Sequence, residues 1–303
     1  MSRKRTPPFD LNGRTVFITG AARGIGAATA RRLHSKGANV ALVGLEPGRL
    51  EELAAQLGER AVAFEVDVTD YDALCRAVRA TVERFGALDV AIANAGVQFN
   101  GALATTPVEQ IERTLAVNLL GVWRTDRAVI EHIVARRGYL LNISSLSAIA
   151  HAPMLGAYST AKAGVEALSD ALRLETFPSG ARVGCAYFGF IDTDLVRGGF
   201  AGPAGQAARG QMPGFIGRPA PLSKAIDAIE AGIERRAARI WAPRWVGPML
   251  ALRGLVQPIM ERSVERDDAP LADSMRLAES PSSDLPEPDP LLGVAATVIK
   301  STP

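Results

Sequence analysis

The sequence predicts an α/β fold, a doubly wound, seven-stranded parallel sheet with helices on both faces. Three observations lead there. Between Arg14 and Ala242, seven short apolar runs alternate with longer helical patterns, the order expected when each strand returns to a parallel neighbour through a helix. The runs are continuously apolar rather than alternating, as strands buried on both faces are. A glycine-rich turn, "TGAARGIG" (19–26), follows the first run directly and opens the first helical pattern.

In chain order the strand candidates are "TVFIT", "NVALVG", "AVAFEV", "LDVAIA", "YLLNIS", "RVGCAY" and "RIWAP". Between the sixth and seventh, residues 190–222 are rich in Gly, Pro and Phe. That stretch is too long and irregular for an ordinary connection and is expected to be a substrate-binding loop. From about residue 243 an apolar extension follows, "RWVGPMLALRGLVQPIM" (244–260), in which Trp245, Met249, Leu252 and Val256 fall on one helical stripe interrupted by prolines. It reads as a packed helix or partner contact, with a membrane-surface helix as the sharper alternative. Residues 261–290 hold nine acidic residues, three arginines and five prolines, so 261–303 is expected to be a disordered acidic, Pro-rich tail. Residues 1–260 form a single expected domain.

Bulk properties narrow the function. With 303 residues, 48% of them apolar, the chain can bury one large core. Its net charge is +2 and its arginines are spread without a basic run, which argues against nucleic acid as the partner. Cys75 and Cys185 lack metal-ligand spacing, and the histidines at 34, 132 and 151 are scattered, so no metal site is expected. "MSRKRTPPF" carries basic residues without an apolar stretch behind them, and no run of about 18 apolar residues marks a membrane span. The expected location is the cytoplasm.

Two local patterns carry chemistry. In "TGAARGIG", glycines at 20, 24 and 26 allow a tight turn, a close approach to a pyrophosphate and close packing of helix on strand, while the helix N-terminus offers free N–H donors. In "AYSTAKAG" (157–164), Tyr158 and Lys162 stand four apart in a chain with four tyrosines and five lysines. On a helix they share a face one turn apart. An ammonium about 4 Å from the phenol at an effective dielectric of ~20 interacts by ~4 kcal/mol, an upper bound of ~3 pKa units, which predicts a phenol poised near neutrality.

These glycines, followed by "DVTD" (67–70), "NAG" (94–96), "NISS" (142–145) and "YSTAK" (158–162), resemble the short-chain dehydrogenase/reductase family over roughly residues 11–243. The resemblance implies a single-domain Rossmann fold, a nicotinamide cofactor and oxidoreduction at a carbon bearing oxygen, as in an alcohol dehydrogenase or carbonyl reductase. It further implies Asn118, Ser145, Tyr158 and Lys162 as catalytic residues, with Tyr158 the general acid/base. The implied cofactor contacts are Gly20, Arg23, Gly24, Ile25, Gly26, Asp67, Val68, Asn94, Ala95, Gly96, Tyr158, Lys162, Ile191 and Thr193. One departure is Phe188, where the family usually has proline. The long helical stretches 107–136 and 157–177 resemble those through which relatives form homodimers or homotetramers.

Gly44 and Leu45 end the second strand, where NAD-specific relatives carry an acid and many NADP-specific ones an arginine. The missing acid and the nearby Arg23 favour NADP(H) over NAD(H), with Glu46 as the counterargument. Phe99, His151, Met154, Leu155, Phe190, Leu195, Phe200 and Phe215 are the expected pocket residues. Being mostly apolar, they predict a hydrophobic alcohol or ketone, lipid- or steroid-like. The competing expectation is a non-catalytic, cofactor-sensing or scaffold protein that uses the tail for a partner or membrane surface.

Overall fold

A computed structural model of the chain describes residues 8–201, 206, 209, 214 and 216–279. The first half runs β1 (Thr15–Thr19), α1 (Gly24–Ser35), β2 (Asn39–Gly44), α2 (Pro47–Leu57), β3 (Ala61–Glu65), α3 (Tyr71–Phe85) and β4 (Val90–Ala93). Then come α4 (Val108–Leu115), α5 (Gly121–Ala135), β5 (Tyr139–Ile143), α6 (Gly156–Thr176) and β6 (Arg182–Phe188). Beyond the sixth strand lie α7 (Asp194–Ala201), α8 (Leu222–Arg235), β7 (Arg239–Ala242), α9 (Val246–Ala251), α10 (Arg253–Arg266) and α11 (Ala269–Glu279).

The seven strands form one parallel sheet in the order β3-β2-β1-β4-β5-β6-β7. Successive side chains of a strand face opposite ways, and here both faces are covered. Val16 and Ile18 of β1 pack with Leu33 of α1 and Ile229 and Ile233 of α8. Phe17 between them points to the other layer, against Leu74 and Val78 of α3 and Val129 and Ile133 of α5. Local signals set the ends of α3. The Asp70 carboxylate accepts a hydrogen bond from the Ala73 N–H at 2.9 Å, and Gly86 closes the helix at φ 82°.

Residues Ala116–Leu120 join α4 to α5 through one wide π turn, in which the Gly121 N–H bonds the carbonyl of Ala116 five residues back. The turn delivers Gly121 beneath Val68, where a Cβ would lie 2.6 Å from that side chain.

A third, smaller core holds Ala148, Ile149, Cys185, Tyr187 and Val246, with Trp245, Met249 and Leu250 packed on it. The predicted stripe of the extension therefore divides. Trp245 and Met249 pack inward, whereas Leu252 is exposed. The expectation of disorder from residue 261 is corrected over its first part, since α10 continues to Arg266 and α11 to Glu279. Glu, Arg, Met, Leu and Ala favour helix there, and Pro270 stands at the second position of α11, where its missing N–H leaves no helical bond unmade. Residues 280–303 lie outside the described residues.

Behind β5 a polar cluster is sealed from water. The Asn142 amide donates to Asp126 Oδ2 on α5 at 2.8 Å and to Ser169 Oγ on α6 at 3.1 Å. Asp126 Oδ1 and Asn142 Oδ1 have no partner among the described residues. Burial pushes the Asp126 carboxyl up to about 8, against the pull of the Asn142 hydrogen bond. The folded chain therefore holds a proton at neutral pH that the unfolded chain releases, so this group lowers stability as pH rises from 3.8 to about 8. Asp126→Asn should flatten that slope and raise Tm at pH 8 relative to the parent. An unchanged slope in thermal melts across pH 5–8 would contradict the assignment.

Candidate active site

The strand order reverses between β1 and β4, and the loops leaving their carboxyl ends part around a crevice. The glycine turn fills one wall. Gly20 and Gly24 have φ of 64° and 56°, the left-handed region that favours glycine. A Cβ on Gly26 would sit 2.2 Å from the Gly20 carbonyl oxygen, and one on Gly20 2.8 Å from the Ala95 Cα. Asn94 pins this turn to β4, its amide donating to the carbonyls of Thr19 at 2.9 Å and Gly20 at 3.1 Å. The Thr19 hydroxyl accepts from the N–H groups of Asn94 and Ala95 at 3.0 and 3.2 Å. No side chain caps α1 and its first turn has no acid, so its opening N–H groups are free for an anion.

The cleft so formed is about 450 Å3 and receives every predicted cofactor-contact residue, Gly26 excepted. Gly26 lies buried behind the turn. At one end, Glu46 is held between Arg23 at 3.0 Å and Arg49 at 3.1 Å. Nearby, Asp67 accepts from the Thr69 N–H at 2.8 Å and from Arg113 at 3.1 Å. Burial raises the Asp67 carboxyl, but the Thr69 hydrogen bonds and Arg113 outweigh it and hold the group below the usual carboxylate range. Arg113 is a cleft residue that sequence reading missed. Its only signal was a basic residue in the helical pattern before Asn118.

At the other end stand Ser145, Tyr158 and Lys162. Ser145 caps the turn after β5, accepting from the Ser147 N–H at 3.1 Å and donating to the Phe188 carbonyl at 3.4 Å. Lys162, 4% exposed, donates to the Ile143 carbonyl at 2.8 Å, and its own carbonyl accepts from Ser144 at 2.9 Å. Its Nζ lies 5.6 Å from the centroid of the Tyr158 ring. The expected poise of Tyr158 near neutrality is corrected. Burial pushes the phenol up, with Ser145 pulling the other way, and burial lowers Lys162 to about 8. The shared helical face brings the two residues together, yet the ammonium is spent on a carbonyl rather than on the phenol oxygen.

Asn118 stands in the π turn, fully buried, and outside the cleft lining. Its side chain accepts from the Val97 N–H at 2.8 Å and donates to the Val97 carbonyl at 2.7 Å, so it braces the loop after β4. Phe188 ends β6 paired with Ala242 and packs in the main core, so the sheet ladder fixes the backbone there in place of proline. Beyond it, Ile191 bridges to Ala220, and the Thr193 hydroxyl donates to the Ile191 carbonyl at 3.3 Å.

Of the expected pocket residues, Leu195 lines the main cleft, and Phe99 and Met154 line a small separate cavity. His151, Leu155 and Phe190 line neither. His151 instead turns its ring to the Ala148 carbonyl. Phe215 and the side chain of Phe200 lie outside the described residues. Among the described residues no cluster of His, Cys, Asp and Glu could hold a metal, and no helix is long and apolar enough to cross a membrane.

The short chain dehydrogenase family model matches residues 14–202. The chain belongs to that family. As a short-chain dehydrogenase it is a nicotinamide-dependent oxidoreductase acting on CH–OH groups. It is 33% identical over 224 residues to 3beta-hydroxysteroid dehydrogenase 1 of Eggerthella lenta, covering 71% of this chain and 86% of the relative. It is 33% identical over 228 residues to trans-4-hydroxycyclohexanecarboxylate dehydrogenase of Sinomonas cyclohexanicum, covering 71% and 84%. Its fold is similar to the crystal structure of a 3-ketoacyl-(acyl-carrier-protein) reductase from Brucella melitensis complexed with NADH, with TM-score 0.69, 25% identity, and coverage of 77% and 97%.

The glycine turn suits a dinucleotide because Gly20 and Gly26 let it close tightly on the β4 loop and on α1, where a Cβ would strike the Ala95 Cα or the Gly20 carbonyl oxygen. Gly26→Ala must push the turn away from α1, so NADH and NADPH affinity, read by fluorescence titration, should fall at least about tenfold. Unaltered affinity would show that the turn does not seat the cofactor.

Proposed function

We propose that the chain interconverts a secondary alcohol and a ketone or aldehyde on a hydrophobic, lipid- or steroid-like substrate. The observation that carries this reading is the convergence of Ser145, Tyr158 and Lys162 on one end of a cleft whose other wall is the glycine turn. A bound nicotinamide supplies or accepts the hydride. In reduction Tyr158 donates its proton to the substrate oxygen, and in oxidation it takes that proton back. Burial, which keeps the phenol protonated, suits the reductive direction. Ser145 turns its hydroxyl to the same oxygen. Lys162 holds the nicotinamide ribose, and Asn118 orders the relay at its backbone, its side chain being committed to Val97.

Gly20, Gly24 and Ile25 hold the pyrophosphate with Gly26 packed behind them, Arg23 reaches the 2′-phosphate, Asp67 and Val68 hold the adenine, Asn94, Ala95 and Gly96 the crevice floor, and Ile191 and Thr193 the carboxamide. NADP(H) is the preferred cofactor. Two guanidiniums, Arg23 and Arg49, share the single carboxylate of Glu46, leaving an excess positive charge for a 2′-phosphate. The exposed Leu120, Trp123, Leu174 and Phe177 on and beside α5 and α6 support a homodimer or homotetramer through those helices. The two free cysteines are in keeping with a cytoplasmic setting.

A scaffold reading has one observation in its favour, the exposed stripe of Leu252, Leu255 and Ile259 on and beside α10, suited to a partner or membrane surface. Activity separates the two. Tyr158→Phe should lower kcat by about 10²- to 10⁴-fold while cofactor affinity and Tm hold; full retained activity would remove Tyr158 from the reaction. A wild-type chain that binds cofactor but turns over no ketone in a broad apolar panel would favour the scaffold. In direct titration NADPH should bind more tightly than NADH, and Arg23→Ala should erase the difference. Tighter NADH binding by the parent chain would reverse the cofactor assignment and point to Glu46 as a ribose ligand.

A further inference from the structure

The face of α6 that carries Tyr158 and Lys162 continues one turn further to Glu166, each four residues from the last. Glu166 is 5% exposed and outside the cleft lining. Its carboxylate is nonetheless fully engaged. The Tyr187 hydroxyl, from β6, donates to Oε1 at 2.9 Å, and Arg253, the first residue of α10, donates to Oε1 at 2.5 Å and to Oε2 at 2.9 Å. A two-pronged guanidinium contact fixes orientation as well as distance. One turn along α10, Gln257 Oε1 accepts from the His151 N–H at 2.9 Å.

The first contact ties α10 to α6, and the second ties it to the segment that begins at Ser145. Ala148 and Ile149 of that segment are buried with Val246, against which Trp245 and Met249 pack. Trp245 also closes on Gly189, where a Cβ would stand 3.1 Å from the indole. The residue before it, Phe188, offers the carbonyl to which Ser145 donates. Ser145, which lines the cleft, is thus flanked by a loop that α10 contacts at His151 and a strand end that Trp245 covers.

We propose that Glu166, Tyr187 and Arg253 are positioning residues for the reaction, a clamp that holds α10 on α6 and fixes Ser145 relative to Tyr158. The proposal rests on the reading of Ser145 and Tyr158 as the pair that handles the substrate oxygen. A misplaced Ser145 loses contact to charge that develops on that oxygen in the transition state. The loss therefore falls on kcat and spares cofactor binding at the far end of the cleft.

The test is steady-state kinetics of Arg253→Met, Glu166→Gln and the double variant, with NADPH titration and thermal melts alongside. Each single variant should lose about tenfold in kcat with ketone KM and NADPH affinity within about twofold of the parent. The double variant should be no worse than the poorer single one, because both remove the same contact. Arg253→Lys should regain part of the loss. Gln257→Ala, at a half-exposed site that spares the buried carboxylate, should lower kcat about threefold even where the other variants fold poorly. Unchanged kcat in Arg253→Met and Gln257→Ala would overturn the clamp, and so would a parallel fall of kcat, cofactor affinity and Tm, which marks general loosening. If the parent turns over no ketone, the proposed function fails first. The clamp is then read by hydrogen exchange, where amides of residues 146–155 must exchange faster in Arg253→Met, and unaltered protection overturns it.

Discussion

The amide of Asn94 bridges the point on which the rest of the site depends. β1 and β4 are the strands between which the chain reverses direction across the sheet, and the loops they release are drawn apart by the elements they lead to. One side chain reaches across that split to two carbonyls of the opposite turn. Each of these carbonyls accepts there a hydrogen bond whose loss would cost about 0.5–1.5 kcal/mol. The same bridge leaves no room for a side chain at Gly20. The phosphate-binding turn is therefore shaped from the β4 side as much as by its own glycines.

The opposite wall is built around a different constraint, a cation in the protein interior. Burying an ammonium is expensive unless its donors are met. Lys162 meets this through the last carbonyl of β5, while Ser144 returns a hydrogen bond from the strand to the helix. The two bonds lock one rung of α6 to the end of β5. Ser145, the next residue, and Tyr158, one turn earlier on α6, are thereby held in fixed relation.

What could be read from the chain was what local chemistry dictates. The seven apolar runs became seven strands, with ends shifted by a residue or two, because each run is short, apolar and flanked by turn signals. The glycine turn was legible because glycine alone tolerates its dihedrals. The four-residue spacing of Tyr158 and Lys162 told which face they share but not which atoms meet, and the ammonium found a carbonyl. Arg113, Glu166 and Arg253 were illegible because their partners are 46, 21 and 87 residues away, Asp67, Tyr187 and Glu166 respectively. The acidic composition after residue 261 suggested disorder, yet composition says little when the same residues are good helix formers and an ion pair holds Arg253, the first residue of the helix that runs into the segment.

The wide turn at Ala116–Leu120 has a consequence for how this chain tolerates change in length. A helix is a screw, and the phase of everything after an irregular turn is set by the number of residues in it. Removing one residue from this stretch would leave an ordinary helix but rotate α5 by ~100° and draw it back by ~1.5 Å. Thr125, Asp126, Val129 and Ile133, all buried, would leave the sheet, and Gly121 would no longer lie beneath Val68. A single deletion that conserves composition, charge and helicity would thus dismantle the core layer and the cleft together.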